Sequence, residues 1–198
     1  MPLWGATDSD ESKPKNLTTA QKKQVFANAS GWVLEAGSAL SGNDNTDADP
    51  EVLVAIGELS TSIGAADITE VEMVTTTADK SEGFTISVRV RYNEPVNVVT
   101  TGGTPTLAVT NGNEGTGTGR GPHTLSYASG SGTNELIFSL AIAAANAATN
   151  ADDVLTVGAQ TIALNSGTMK DASGTASDAA RVISGALGTA AGSVTVTA

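Results

Sequence analysis

Asn43-Asp44-Asn45-Thr46-Asp47-Ala48-Asp49-Pro50-Glu51 crowds carboxylates and amides into one polar stretch, the raw material of an oxygen-ligand calcium loop. The ligand order of such loops includes a central glycine, which is missing here, so a solvated loop without metal is expected. Asn150-Ala151-Asp152-Asp153 is a second acidic cluster and reads as a solvated turn. Gly115, Gly117, Gly119 and Gly121 alternate in GTGTGRG, yet a phosphate cradle needs a following helix whose N-terminus faces the anion. Pro122 and an extended segment follow instead, which leaves a hairpin-like loop with Arg120 at its tip as a candidate partner contact. His123 is the single histidine, so a Ser-His-Asp arrangement would have to use it. No nucleophile elbow accompanies it, and it reads as a solvated residue beside the glycine-rich loop. Neither an enzyme nor a cofactor is expected from these residues.

The elements that would carry these loops are strands. Phe84, Ile86, Val88, Val90 and Tyr92 alternate with Thr85, Ser87, Arg89 and Arg91, the period of a strand with one buried face, and the second set is expected to face water. Leu136, Phe138, Leu140 and Ile142 alternate in the same way, and the small polar run Ser129 to Asn134 makes this segment the antiparallel neighbour of Leu125 to Tyr127. Ile68 to Thr77, Pro105 to Thr110, His123 to Ala128, Val154 to Val157, Thr161 to Leu164 and Ser193 to Thr197 complete seven or more short strands at the spacing of a β-sandwich. Ala143 to Asn150 and Ala172 to Ala180 are alanine-rich and could each take a helical turn.

Residues 1–64 differ in texture. Thr7 to Asn16 has too little apolar surface to fold alone and should be extended. Leu17 to Phe26 holds a capping residue, helix formers and Leu17, Gln21 and Val25 at helical spacing, which predicts a short helix. Gly31 to Leu34 and Pro50 to Leu59 are strand candidates, and Ser60 to Ala66 is a small-residue hinge. The division is therefore a leading arm, 1–64, and an all-β domain, 65–198. So few hydrophobes make a poor independent core. Leu3, Trp4, Trp32, Val52, Val54 and Ile56 are candidate anchors for a partner, with the extended strand suited to strand addition. The competing reading packs Trp32 and Val52 to Ile56 beneath the larger domain.

Composition narrows the partners. Among 198 residues, 21 acidic against 10 basic side chains give a formal charge of −11, and the few Lys and Arg form no stripe. Nucleic acid and anionic membrane surfaces are disfavoured. Without cysteine there is no disulfide frame or thiolate chemistry. Met1 to Lys15 lacks the basic and apolar regions of a signal peptide, and no run approaches the ~18 consecutive apolar residues of a membrane span.

Tyr127 to Thr133 with Leu136 and Phe138, then Leu164 to Thr168, then Asp171-Ala172 with Gly174, is similar to the bacterial Ig-like repeats of large cell-surface adhesins. Tyr92 to Val96 resembles their F-x-E-P-V element, and Gly103 to Leu107 their G-T-P-T-L. The resemblance implies an Ig-like β-sandwich, no single activity, acidic residues in the loop at Asn150 to Asp153, and a role for Glu94 in ordering the turn before Pro95. Leu3, Trp4, Gly5, Asp8, Lys13 to Lys15, Gly31 to Val33 and Pro50 to Gly57 resemble the N-terminal stretch of structural proteins of marine tailed phages, including cyanophages. That implies an arm seating the protein on a virion.

The combined expectation is an Ig-like β-sandwich preceded by an extended N-terminal arm with a short helix and two strands. Its function would be that of a virion structural protein, a capsid decoration subunit docked on the major capsid protein or other virion subunits. Arg120 and His123 are candidate contacts to cell-surface carbohydrate. A neck- or tail-associated virion protein and an adhesin binding module are the alternatives. A glycosidase would need paired carboxylates in a cleft at a separation that sequence does not show.

Overall fold

The computed structural model describes residues 14, 17–18, 21, 24–28, 30–46, 48–56, 65–113, 120–144, 148–172 and 177–198, with the backbone alone at 27, 28, 113, 120 and 121. The chain is all-β. In order it forms β1 (Val25–Asn28), β2 (Gly31–Leu34), β3 (Glu51–Ala55), β4 (Ile68–Met73), β5 (Ala78–Asp79), β6 (Phe84–Val99) and β7 (Thr106–Asn113). Then come β8 (Arg120–Ser129), β9 (Thr133–Ile142), β10 (Asp153–Thr156), β11 (Gln160–Thr161), β12 (Thr168–Asp171), β13 (Val182–Ile183), the short helix α1 (Gly185–Ala190) and β14 (Ser193–Thr197).

One nine-stranded sheet runs β12-β6-β9-β8-β7-β10-β14-β5, with β4 also paired to β6. Its geometry follows from chain reach. From β4 to β5 the path crosses eight strands, about 34 Å if flat at ~4.8 Å per neighbour. The connection 74–77 spans roughly 19 Å at most, at ~3.8 Å between successive Cα atoms. The sheet must therefore curl until its ends approach, and the interior it encloses is the core.

The long strand β6 organises that core. Ile86, Val88, Val90 and Tyr92 are buried, and across the register Val88 faces Phe138 and Val90 faces Leu136 on β9. Leu107 and Val109 of β7, Leu125 of β8, Leu155 of β10, Met169 of β12 and Val194 and Val196 of β14 complete the layer. Tyr127 and Phe138, cross-strand partners, meet edge to face with ring centroids 6.0 Å apart. The Tyr92 hydroxyl donates to the Ala180 carbonyl at 2.9 Å, and burial holds its pKa above the usual phenol range.

The leading residues make a separate three-stranded sheet, β1-β2-β3, where two strands were expected. Trp32, Val25 and Leu34 are buried together, with Leu17, Val54 and Ile56 packed against them. Gly31 opens β2 at a φ of +125°, where a Cβ would lie 2.2 Å from the Val54 carbonyl, so this strand pair closes only on glycine.

Several expectations are corrected. The helix predicted over 17–26 is cut short, because Val25 and Phe26 belong to β1. Among the described residues of that stretch, Gln21 is helical and closes a capping box: its amide donates to Thr18 Oγ1 at 3.3 Å and the Thr18 amide to Gln21 Oε1 at 2.9 Å. No helix occurs in the described parts of 143–150 and 172–180. The helix α1 is capped by Ser184, whose Oγ accepts from the Leu187 amide.

Candidate functional site

The outer face of β6 is the least expected part of the molecule. Arg89 and Arg91 were expected to face water, yet Arg91 is 1% exposed. Strand register explains why. Glu70 and Glu72 on β4 sit opposite Arg91 and Arg89, and Glu135 on β9 sits opposite Arg91 from the other side. A charged rung thus crosses three strands. The N-terminal sheet lies over it, with Glu35 just beyond β2 bridging both arginines.

The contacts are short. Arg91 Nη1 reaches Glu70 Oε2 at 2.9 Å, its Nη2 reaches Glu35 Oε2 at 2.7 Å, and its Nε donates to Glu135 Oε1 at 2.6 Å. Arg89 places Nη1 2.5 Å from Glu35 Oε1, and Nε and Nη2 at 3.2 and 2.5 Å from Glu72 Oε2. Glu135 Oε2 approaches Arg89 Nη1 only to 3.6 Å, beyond hydrogen-bond range. Burial pulls the Arg91 pKa down, but Glu135, Glu35 and Glu70 outweigh it and leave the guanidinium above its ordinary value. Arg89 moves the same way: burial and Arg91 oppose its charge, and Glu72, Glu135 and Glu35 prevail.

A cleft of about 310 Å³ opens beside this rung, between the N-terminal sheet and β9. Phe26, Ala36, Ala48 and Pro50 give it apolar walls, and Glu35 and Glu135 bring carboxylates to it. Gly37, at φ +72°, lets the turn after Glu35 lie against Thr46, whose Cγ2 would be 2.6 Å from any Cβ there. The sequence held a signal for the rung: acids at 70 and 72 and arginines at 89 and 91 each share one strand face.

The polar residues singled out from sequence lie elsewhere. His123, expected as a solvated candidate glycan contact, is 5% exposed and is corrected to a buried residue. Its Nε2 lies 2.9 Å from Thr149 Oγ1 and 3.4 Å from Asn111 Nδ2, and burial lowers its pKa against a smaller opposing pull from Asp153. The Asn111 amide also donates to the Ala148 carbonyl, which fixes its orientation and leaves the imidazole as acceptor. A hydroxyl beside a histidine is the pairing of an activated nucleophile, but here Thr149 is fully buried. Asp153, expected in a solvated turn, is also fully buried, and one of its oxygens accepts from the Asn150 amide at 2.7 Å. Glu94 is buried within β6.

Trp32, named as a partner anchor, is 1% exposed in the core of its own sheet and is corrected in that role. Val54 and Ile56 are half-buried around it, whereas Val52 and Leu53 on the outer strand β3 are 52% and 38% exposed. The bulge between Trp32 and Val33 turns these side chains outward. Leu3, Trp4, the glycine-rich loop 114–119 and the Arg120 side chain lie outside the described residues. The described part of 43–51 is mostly exposed and holds its own turn, the Asn45 amide donating to Asn43 Oδ1 at 3.0 Å. Among the described residues no group of three His, Cys, Asp or Glu side chains is placed to hold a metal ion.

Comparison of the chain with protein-family models, curated proteins and solved structures returns no match.

Proposed function

We propose that the chain is a virion structural protein, a capsid decoration subunit that attaches through its N-terminal sheet and carries the larger β domain, read as an Ig-like sandwich, outward toward host-surface glycans. The observation that carries the reading is the outer strand β3: among the described residues it ends the three-stranded sheet, and it exposes Val52 and Leu53 side by side. An edge strand with apolar side chains is a template for pairing with another chain, and proteins that are not meant to pair there blunt such edges. Attachment through β3 replaces the earlier assignment of Trp32, whose burial stiffens the sheet that presents the edge. Glu35 then couples that sheet to the larger domain through Arg89 and Arg91. A virion protein needs such stiffness if many copies are to hold their outer domains in register, because avidity depends on simultaneous engagement.

The test is attachment of the purified chain to heads that lack it, scored by co-sedimentation. The wild type should pellet with heads, and Val52→Asp with Leu53→Asp should remain in solution with an unchanged melting curve. Pelleting of the double variant, or failure of the wild type to pellet, would remove the proposal.

A further inference from the structure

The cleft beside the charged rung has the chemistry of a receptor for one cationic side chain. At about 310 Å³ it stands at the lower end of ligand sites, room for a side chain and too little for a large cofactor. Its walls are apolar at Phe26, Ala36, Ala48 and Pro50, and its charged lining, among the described residues, consists of the carboxylates Glu35 and Glu135. Arginine and lysine need that combination, since their methylene stems seek apolar surface while their heads seek oxygen acceptors.

The acceptor is already in place. Glu35 uses both oxygens on the two arginines, and Glu135 uses Oε1 on Arg91. Glu135 Oε2 makes only the 3.6 Å approach to Arg89 and keeps its capacity to accept a short hydrogen bond. The Glu135 side chain is about one quarter exposed and lines the cleft. The formal charge of −11 adds a long-range pull on cationic partners.

We infer that this cleft seats a single Arg or Lys side chain from a basic segment of a partner protein, its stem against Phe26, Ala48 and Pro50 and its head on Glu135 Oε2. Binding proceeds without loss of a hydrogen bond of the rung, because the incoming cation takes an oxygen that Arg89 approaches only at ion-pair distance, 3.6 Å. This goes beyond the capsid reading and does not depend on it.

The test uses the isolated chain, uniformly labelled with ¹⁵N, and the peptide acetyl-Gly-Arg-Gly-amide. The peptide should shift the amides of Ala36, Thr46, Ala48 and Glu135 in a saturable way, with a Kd on the order of 1 mM. The counterpart with citrulline, neutral and of the same shape, should give no saturable shift. Glu135→Gln should weaken binding about tenfold. Ala48→Phe, which fills the cleft and leaves every carboxylate intact, should abolish it. Equal binding of the citrulline peptide, unchanged binding by Ala48→Phe, or no saturable shift in the wild type would each overturn the inference. Particle attachment plays no part in the readout, so either reading can fail alone.

Discussion

The two sheets are held together by different means. The curled sheet closes on a continuous layer drawn from β4, β6 to β10, β12 and β14, whereas the N-terminal sheet has Val25, Trp32 and Leu34 and a few half-buried neighbours. Hydrophobic stabilisation scales with the apolar area removed from water, so the smaller sheet contributes little by itself. It also lends a carboxylate, Glu35, to the charged rung on its neighbour. The lesson is one of dependence: the larger unit is closed by apolar packing, and the smaller one is held where it is by geometry and charge at the junction.

Substitution at the two centres should expose that asymmetry. Phe138→Ala, at a fully buried position between Val88 and Tyr127, should cost about 3–5 kcal/mol in a denaturant titration, with all signals lost together. A loss near 1 kcal/mol would mean that the large core is loosely packed. Arg91→Ala leaves the carboxylates gathered around it without their shared cation and should cost about 3 kcal/mol. Its effect should extend to both sheets, seen as faster amide exchange in β2 as well as β4. Trp32→Ala should instead act locally. Protection in β1 to β3 should vanish, while the main transition moves by roughly 1 kcal/mol or less, since a unit that opens on its own cannot lose more than its own stability. A full-size shift of the main transition would show the sheets to be one cooperative block.

His123 gives a smaller effect with a defined sign. Its folded-state pKa is lowered, so the unfolded chain takes up the proton first as pH falls. The contribution is fully present above the unfolded value of ~6.5, is lost as pH drops below it, and levels off under the folded pKa. The melting temperature of wild type should fall more steeply than that of His123→Gln across that window, and parallel curves would contradict the buried neutral imidazole. Val52→Asp, on the exposed outer strand, should change stability by about 0.5 kcal/mol or less.

Much of this architecture was legible in the sequence. The alternation of β6 and β9, the turn between β8 and β9 and the placement of β7 and β14 follow from a period of two, which depends only on neighbours along the chain. What was not legible depends on partners far away. Arg91 reads as solvent-facing because the matching spacing of acids at 70 and 72 gains meaning only once β4 and β6 are known to pair, and Glu35 and Glu135 lie on other segments. His123 reads as a solvated residue beside the glycine-rich loop because Thr149 and Asn111, which satisfy it, belong to other segments. Val25 satisfied a helical spacing with Leu17 and Gln21, and pairing with β2 overrode it. The glycines of α1 argue against a helix on propensity alone. Ser184 caps it and Gly188 packs 2.3 Å, by its would-be Cβ, from the Gly158 carbonyl, a closeness no larger residue allows.

The parallel pairing of β14 with β5 has a consequence for how the molecule is made. The Thr197 hydroxyl donates to the Ala78 carbonyl across 119 positions of chain. On a ribosome, β5 and β10 must therefore wait with open hydrogen-bonding edges until Ser193–Thr197 emerges, a delay of seconds at ordinary elongation rates. During that interval the nascent protein is exposed to pairing with its neighbours on the same message, and crowded polysomes are where its misassembly would begin.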